Sequence, residues 1–242
     1  MFMSPIFYVV AFCFLVVSGV FFNYILGQVI LVSFQVSQHP ELGRDLSMME
    51  LFLRSFLSNL SVIMLFIIPL LTMRLYAEER KSGTIELLFT YPVTDSATLA
   101  GKFAACLVTF TILVVATLPG VIGVALIASA AWKVILCGYA GLFLLGSAFI
   151  SLGIFASTLT RNQIISSILT FGALLVLWFL GEAKSSAGPT IGAILEYVSV
   201  SKHFEGLSKG LIDSRDILYF VVFSVLFLFL TLRQMNSYRW RG

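Results

Sequence analysis

Residues 77–95 read AEERKSGTIELLFTYPVTD, a dense charged insert in a chain that otherwise almost lacks charge, and the fold is decided by what that insert separates. Glu78, Glu79, Arg80, Lys81 and Glu86 fall within nine residues, whereas 11% of all 242 residues are charged and 59% are hydrophobic. Soluble domains carry about 25% charged residues. A mean hydropathy of +1.02 and 23 Phe lie far outside their range. The chain reads as an all-α, polytopic membrane protein whose surroundings are the lipid bilayer, and nothing in it marks a nucleic-acid partner.

Charge-free runs on either side of the insert locate the crossings. One Asp, Lys or Arg at mid-bilayer costs about 2.5–3.5 kcal/mol, and a crossing helix needs about 20 apolar residues. Six spans are expected, at about 5–26, 55–73, 103–128, 134–159, 162–180 and 217–232. The first lies within an opening of 40 residues that has no Asp, Glu, Lys or Arg; it lacks the basic n-region of a cleavable signal and is expected to stay in the mature protein. The last is the shortest. Its 16 residues reach only about 24 Å at about 1.5 Å per residue, so Arg215, Asp216 and Arg233 would have to snorkel, or the bilayer thin. The fifth reads as one span or as two half-helices. Six spans place both termini on one side. With termini inside, the cytoplasmic face holds eight Lys and Arg against seven outside, too even to decide, and the terminal YRWRG tips the reading towards cytoplasmic termini.

The pattern from 47 to 81 is nearly one helix of about 35 residues, hence about 52 Å, longer than the hydrocarbon layer of about 30 Å. The helix is expected to project beyond the membrane, with a bend at Pro69. Glu50 and Arg54 have the i,i+4 spacing of a weak helical pair. Ser55, Ser58 and Asn59 share a face that either packs on a neighbouring helix or lines a translocation path. Gly83 is a natural helix stop and Thr84 a cap for a following short helix carrying Ile85, Leu87, Leu88 and Phe89. Pro92 closes that helix, and Thr94 or Asp95 caps the next, with Lys102 at the interface. From the residues alone, an ordinary solvated loop between spans is the other reading of 77–95.

In the fourth span, Ser147 with Ser151 and Gly153 with Ser157 have the small-xxx-small spacing that lets helices approach, within the bundle, at a dimer contact or along a translocation surface. Segment 181–216 contains Gly188-Pro189 and an apolar stretch, 191–200, too short to cross; it reads as a re-entrant or interfacial pair of helices on the outer side, or as an outer loop. Cys13, Cys106 and Cys137 fall in apolar spans as packed thiols. His39 and His203 have no ligand partner at short spacing, so no metal is assigned, and His203 is expected at the surface. No catalytic residue emerges. Without a G-x-x-x-x-G-K-[ST] loop the chain has no nucleotide site of that kind. The spans carry no Asp, Glu, Lys or Arg in their interiors, which argues against an ATP-independent, ion-coupled carrier.

The string 69–95, PLLTMRLYAEERKSGTIELLFTYPVTD, resembles the segment between spans two and three of ABC-2 type permeases, the membrane subunits of type V ABC exporters. Within them it is similar to the branch holding gliding-motility and nitrous-oxide-reductase maturation permeases. The resemblance continues through SPIFYVV and SGVFF near the start, LTRNQIISSILTFGALLVLW at the fifth span, FEGLSKGLIDSRDILYF before the sixth, and the tail RQMNSYRWR. It implies a non-catalytic permease in a bacterial inner membrane. Such a subunit pairs with a second copy or a related permease and sits on P-loop ATPase subunits that bind the ATP and Mg; this chain itself would hold no cofactor. Carried over residue by residue, Glu78, Glu79, Arg80 and Lys81 would meet the ATPase, Gly83 and Thr84 would form the bend, Glu86, Leu87 and Leu88 would lie on a coupling helix, and Pro92 would end it. Relatives usually begin with a basic elbow helix, and here only Met1 to Ser4 precede Pro5, so docking through the insert and tail alone, or a shortened start, is expected. The implied function is to couple ATP hydrolysis to export. The alternative is transmission of force or conformation to an extracytoplasmic partner without moving a substrate.

Overall fold

Backbone N–H and C=O groups in lipid find no water and must be satisfied within their own segment, so apolar runs of this length become helices. In the computed structural model, which describes residues 5–38, 47–84, 94–127, 132–185 and 188–239, the described residues contain helices and no strand. In chain order they are α1 (Pro5–Gln38), α2 (Met48–Thr72), α3 (Ala77–Ser82), α4 (Asp95–Val115), α5 (Leu118–Ile127), α6 (Trp132–Leu159), α7 (Gln163–Phe179), α8 (Pro189–Val198), α9 (Val200–Ser208) and α10 (Ser214–Arg239), with a 3-10 turn at Glu182–Ser185. Five stretches are long and apolar enough to cross a membrane, Phe7–Gln38, Met48–Ser82, Asp95–Ile127, Trp132–Leu159 and Ser214–Ser237, and α7 is a shorter apolar helix. The protein is an all-α, multi-pass membrane protein.

Several helices depart from the charge-free runs. α10 has 26 residues and takes in Arg215, Asp216 and Arg233, so the expected shortest crossing is one of the longer helices. A charge stops a hydropathy window but not a hydrogen-bonded ladder, and a charge near a helix end can reach water. The shortest is instead α7, a single helix of 17 residues. α1 continues to Gln38, well past residue 26. The third apolar stretch is broken at residues 116–117, between α4 and α5. Pro119 explains it, since it has no N–H to donate to the carbonyl four residues earlier. Thr117 bonds the Val114 carbonyl at 2.7 Å and the Tyr139 hydroxyl at 2.9 Å across the break.

α6 is the central helix: α2, α4, α7, α9 and α10 all pack on it, while α1 leans mainly on α2. Lipid tails are as apolar as the side chains, so helices associate here by close packing rather than by a hydrophobic drive. Phe22 of α1 meets Phe52 and Phe56 of α2 edge-on, with centroids 5.3 and 5.5 Å apart, and Leu53, Leu57, Leu60 and Met64 of α2 are fully buried. Cys13 is exposed, Cys106 buried and Cys137 half-buried, and all three are free thiols.

Alternating helix directions gather the polar groups at two ends. One end holds the end of α2 with α3, the start of α4 and the end of α6; the other holds the start of α2, the end of α7, and α8 and α9. α1 runs antiparallel to α2, with Phe22 beside Phe52 and Cys13 beside Phe66 and Ile67, which puts its start at the α3 end.

Candidate functional site

The charged insert begins where α2 stops. Pro69 lies inside α2 and the helix continues through it to Thr72, where residues 73–76 turn before α3 starts. The break thus falls one turn after the proline, and the projecting helix expected over 47–81 is two helices. A buried start of a helix leaves N–H groups without intrahelical partners, and Tyr76, at the N-cap of α3, supplies no side-chain cap. The cap comes from another helix. Ser157 Oγ of α6 accepts from the Tyr76 N–H at 3.0 Å and the Ala77 N–H at 3.0 Å, and donates to the Met73 carbonyl at 3.2 Å. One hydroxyl has one donor and two acceptor positions, so all of its capacity goes to this junction. Ser157, Tyr76 and Ala77 are each 0% exposed.

Three further contacts fix α3. Arg80 donates to the Thr158 carbonyl. Lys102 of α4 donates to the Leu75 carbonyl and forms an ion pair with Glu79. The same ammonium lies 3.9 Å from the centre of the buried Tyr76 ring, a cation over an aromatic face. α3 ends at Gly83, whose φ of +74° is left-handed, a conformation in which a Cβ is strained. Thr84 turns back on this turn, its hydroxyl 2.9 Å from that of Ser82.

The expected interface residues therefore divide. Glu79 and Arg80 are held against this chain's own α4 and α6, whereas Glu78, Lys81, Gly83 and Thr84 are exposed. Glu86, Leu87, Leu88 and Pro92 lie outside the described residues. Thr94 caps α4 by accepting from the Ala97 N–H at 3.4 Å. Of the small residues of α6, Gly153 abuts α2: a Cβ there would stand 2.3 Å from Thr72 Oγ1. Ser147 bonds the Leu144 carbonyl at 2.7 Å and meets Ser224 of α10 at 3.3 Å, and Ser151, fully buried, bonds the Ala148 carbonyl at 2.7 Å. All four positions lie against this chain's own helices. Tyr76 and Lys102 complete the junction, and of these the sequence marked only Lys102, as an interface residue; no spacing rule links them to Glu79.

At the opposite end, Glu205 of α9 accepts from Arg54 of α2 at 2.9 Å and Lys209 at 2.8 Å. Arg54 thus pairs across helices and not with Glu50, because α9 brings a carboxylate to it. The Lys209 hydrogen bond, followed by the charges of Lys209, Lys202 and Arg54, holds the Glu205 carboxyl below its ordinary range against the opposing effect of burial. His203 is not a surface residue: its side chain is 12% exposed. It bonds Asp216 at 2.7 Å and the Tyr197 carbonyl at 2.9 Å and stacks on Tyr219 at 4.0 Å, tying α8 and α9 to α10. No group of three or more His, Cys, Asp or Glu suited to a metal occurs among the described residues. His39 and the Ile85 to Phe89 stretch lie outside them.

No curated protein matches the chain. The family described as ABC-2 family transporter protein matches residues 3–234, and with nearly the whole sequence inside that match the chain belongs to this family of ABC transporter membrane proteins.

Proposed function

We propose that this permease subunit couples ATP hydrolysis in a separate P-loop ATPase to export, with the segment 77–95 as its docking element and both termini cytoplasmic in a bacterial inner membrane. The observation that carries the reading is the clamped junction. A loop that only joined two spans would need no buried hydroxyl, lysine and tyrosine to fix its first turn, whereas an element that receives a push must be rigidly tied to the helices it moves. The exposed charges Glu78 and Lys81 select and orient the partner, Glu79 and Arg80 transmit, and Gly83 makes the turn. Leu87 and Leu88 supply the apolar anchor that fits a partner groove, Glu86 lies beside them on the coupling helix, and Pro92 ends it. ATP and Mg sit in the partner chain, and a second permease, identical or related, completes the assembly. The E-E-R-K-x-G-T-x-E-L-L string favours the gliding-motility and nitrous-oxide-reductase maturation branch.

The test is gentle purification from the native membrane with subunit analysis and ATPase assay. Wild type should bring down a P-loop ATPase. A Glu78→Lys, Lys81→Glu double variant should lose it while remaining inserted and folded. Glu79→Lys should keep the ATPase bound but uncoupled. A wild-type preparation without any ATPase would overturn the reading.

A second reading is favoured by the buried apolar face of α2, Leu53, Leu57, Leu60 and Met64, all 0% exposed. That face offers no water-lined path, so an apolar or lipid-linked substrate, or force transmitted to an extracytoplasmic partner with no substrate, fits better than a sugar or ion.

A further inference from the structure

A cavity of about 300 Å³ lies between the start of α2, the end of α7 and α9, lined by Arg54, Ser58, Trp178, Glu182, Lys202 and Glu205 among others. Its size is at the low end for a ligand pocket, room for a headgroup and not for a whole lipid. The lining holds unused donors. Lys202 Nζ is ion-paired with Glu182 at 3.6 Å and Glu205 at 3.9 Å, but both distances are beyond hydrogen-bond reach, so its N–H groups stay available. Neither its N–H groups, the Ser58 hydroxyl nor the Trp178 indole N–H has a hydrogen-bond acceptor among the described residues. Arg54 commits one guanidinium nitrogen to Glu205 and keeps the rest of its fork. Ammonium, guanidinium, hydroxyl and indole donors converging on one space suit a phosphate oxygen.

We propose that this cavity binds the phosphate of a zwitterionic lipid headgroup, phosphoethanolamine by chemistry, from the leaflet at the α9 end. The two carboxylates decide the net charge of the ligand. Arg54 and Lys202 against Glu182 and Glu205 leave the lining neutral overall, which matches a headgroup that is itself neutral overall, with donors towards its phosphate and carboxylate charge towards its ammonium. The site opens sideways to the acyl layer: Phe179 lines it and is 57% exposed, and Val176, less than a turn deeper on α7, is 61% exposed. Trp178 sits where indoles concentrate, at the boundary of hydrocarbon and headgroups. The inference rests on the membrane setting and not on ATPase coupling, so the two fail separately.

The experiment is native mass spectrometry of the full chain in mild detergent, incubated with phosphatidylethanolamine, phosphatidylglycerol or inorganic phosphate. Wild type should retain phosphatidylethanolamine in preference to phosphatidylglycerol, and millimolar phosphate should not displace it. Lys202→Met should weaken retention about tenfold, the loss of one charge-assisted bond. Ser58→Phe, at an exposed position where bulk is tolerated, should abolish it by filling the space, while Lys133→Met at the same end but outside the cavity should change nothing. Undiminished retention in both Lys202→Met and Ser58→Phe would overturn the site. Equal retention of phosphatidylglycerol would overturn the headgroup assignment, and displacement by inorganic phosphate would overturn the lipid as its source.

Discussion

Ser157 is small, apolar in company and unremarkable by type, yet its one hydroxyl serves three backbone groups at the α2–α3 junction. Ser157→Ala would leave the Tyr76 and Ala77 N–H groups buried without an acceptor, and each such group costs about 1–3 kcal/mol. The expected outcome is lower thermal stability in detergent and faster amide exchange confined to residues 76–84, with the other spans unchanged. Tyr76→Phe goes the other way. The Tyr76 hydroxyl is buried with no hydrogen-bond partner among the described residues, so removing it should be neutral or stabilising in the same melting assay, because the ring and its cation contact stay. Gly153→Ala should be destabilising by about 1–3 kcal/mol, since its Cβ would meet Thr72 Oγ1 at 2.3 Å; pairing it with Thr72→Ala should recover part of the loss. The spacing of Gly153 and Ser157 was legible in the sequence as a contact surface. Which helix it touches was not, because small-xxx-small spacing records closeness and carries no address.

At the scale of elements, helix ends were legible wherever a residue type has a conformational reason to stop one. Gly83 stops α3 in the left-handed region and Thr94 starts α4, both as their chemistry predicts. Pro119 carried the same kind of signal for the α4–α5 break, hidden by the even hydropathy around it. The true length of α10 was not legible because hydropathy measures what lipid tolerates, while a helix continues as long as its ladder and packing do. Long-range ties such as Glu205 to Arg54 leave no trace in local periodicity. That tie sets a pH dependence. The Glu205 carboxyl is held below its ordinary value of 4.5, so its ionised form is favoured on folding. Its contribution is fully present above about pH 4.5 and is lost as pH falls below that towards the folded value. Thermal melts from pH 7 downwards should show α9 loosening early in acid, read by exchange at residues 200–208, and Glu205→Gln should flatten that part of the profile. The effect is small in size, because the side chain is 38% exposed and water screens it.

For the whole molecule, helix direction places the start of α1 and the end of α10 at the α3 end, and which side of the membrane that end faces is a separate matter. Among the described residues, Arg74, Arg80, Lys81, Lys102, Arg161, Arg233 and Arg239 belong to the α3 end, and Arg54, Lys133, Lys184, Lys202, Lys209 and Arg215 to the α9 end, seven against six, too even for the positive-inside tendency to give a direction. The proposed function gives one: ATP is cytoplasmic, so if α3 docks an ATPase it faces the cytoplasm, and the start of α1 and the end of α10 follow it there. On that proposal the α9 end, with its cavity and its ion pairs, faces outward. Single cysteines test this in a background lacking Cys13, Cys106 and Cys137. A membrane-impermeant maleimide applied to intact spheroplasts should label Lys209→Cys at once and Ser82→Cys only after permeabilisation. The reverse pattern would turn the permease over in the membrane and remove the coupling role from 77–95, because no ATPase could reach it, while leaving the fold and its two polar ends as they are.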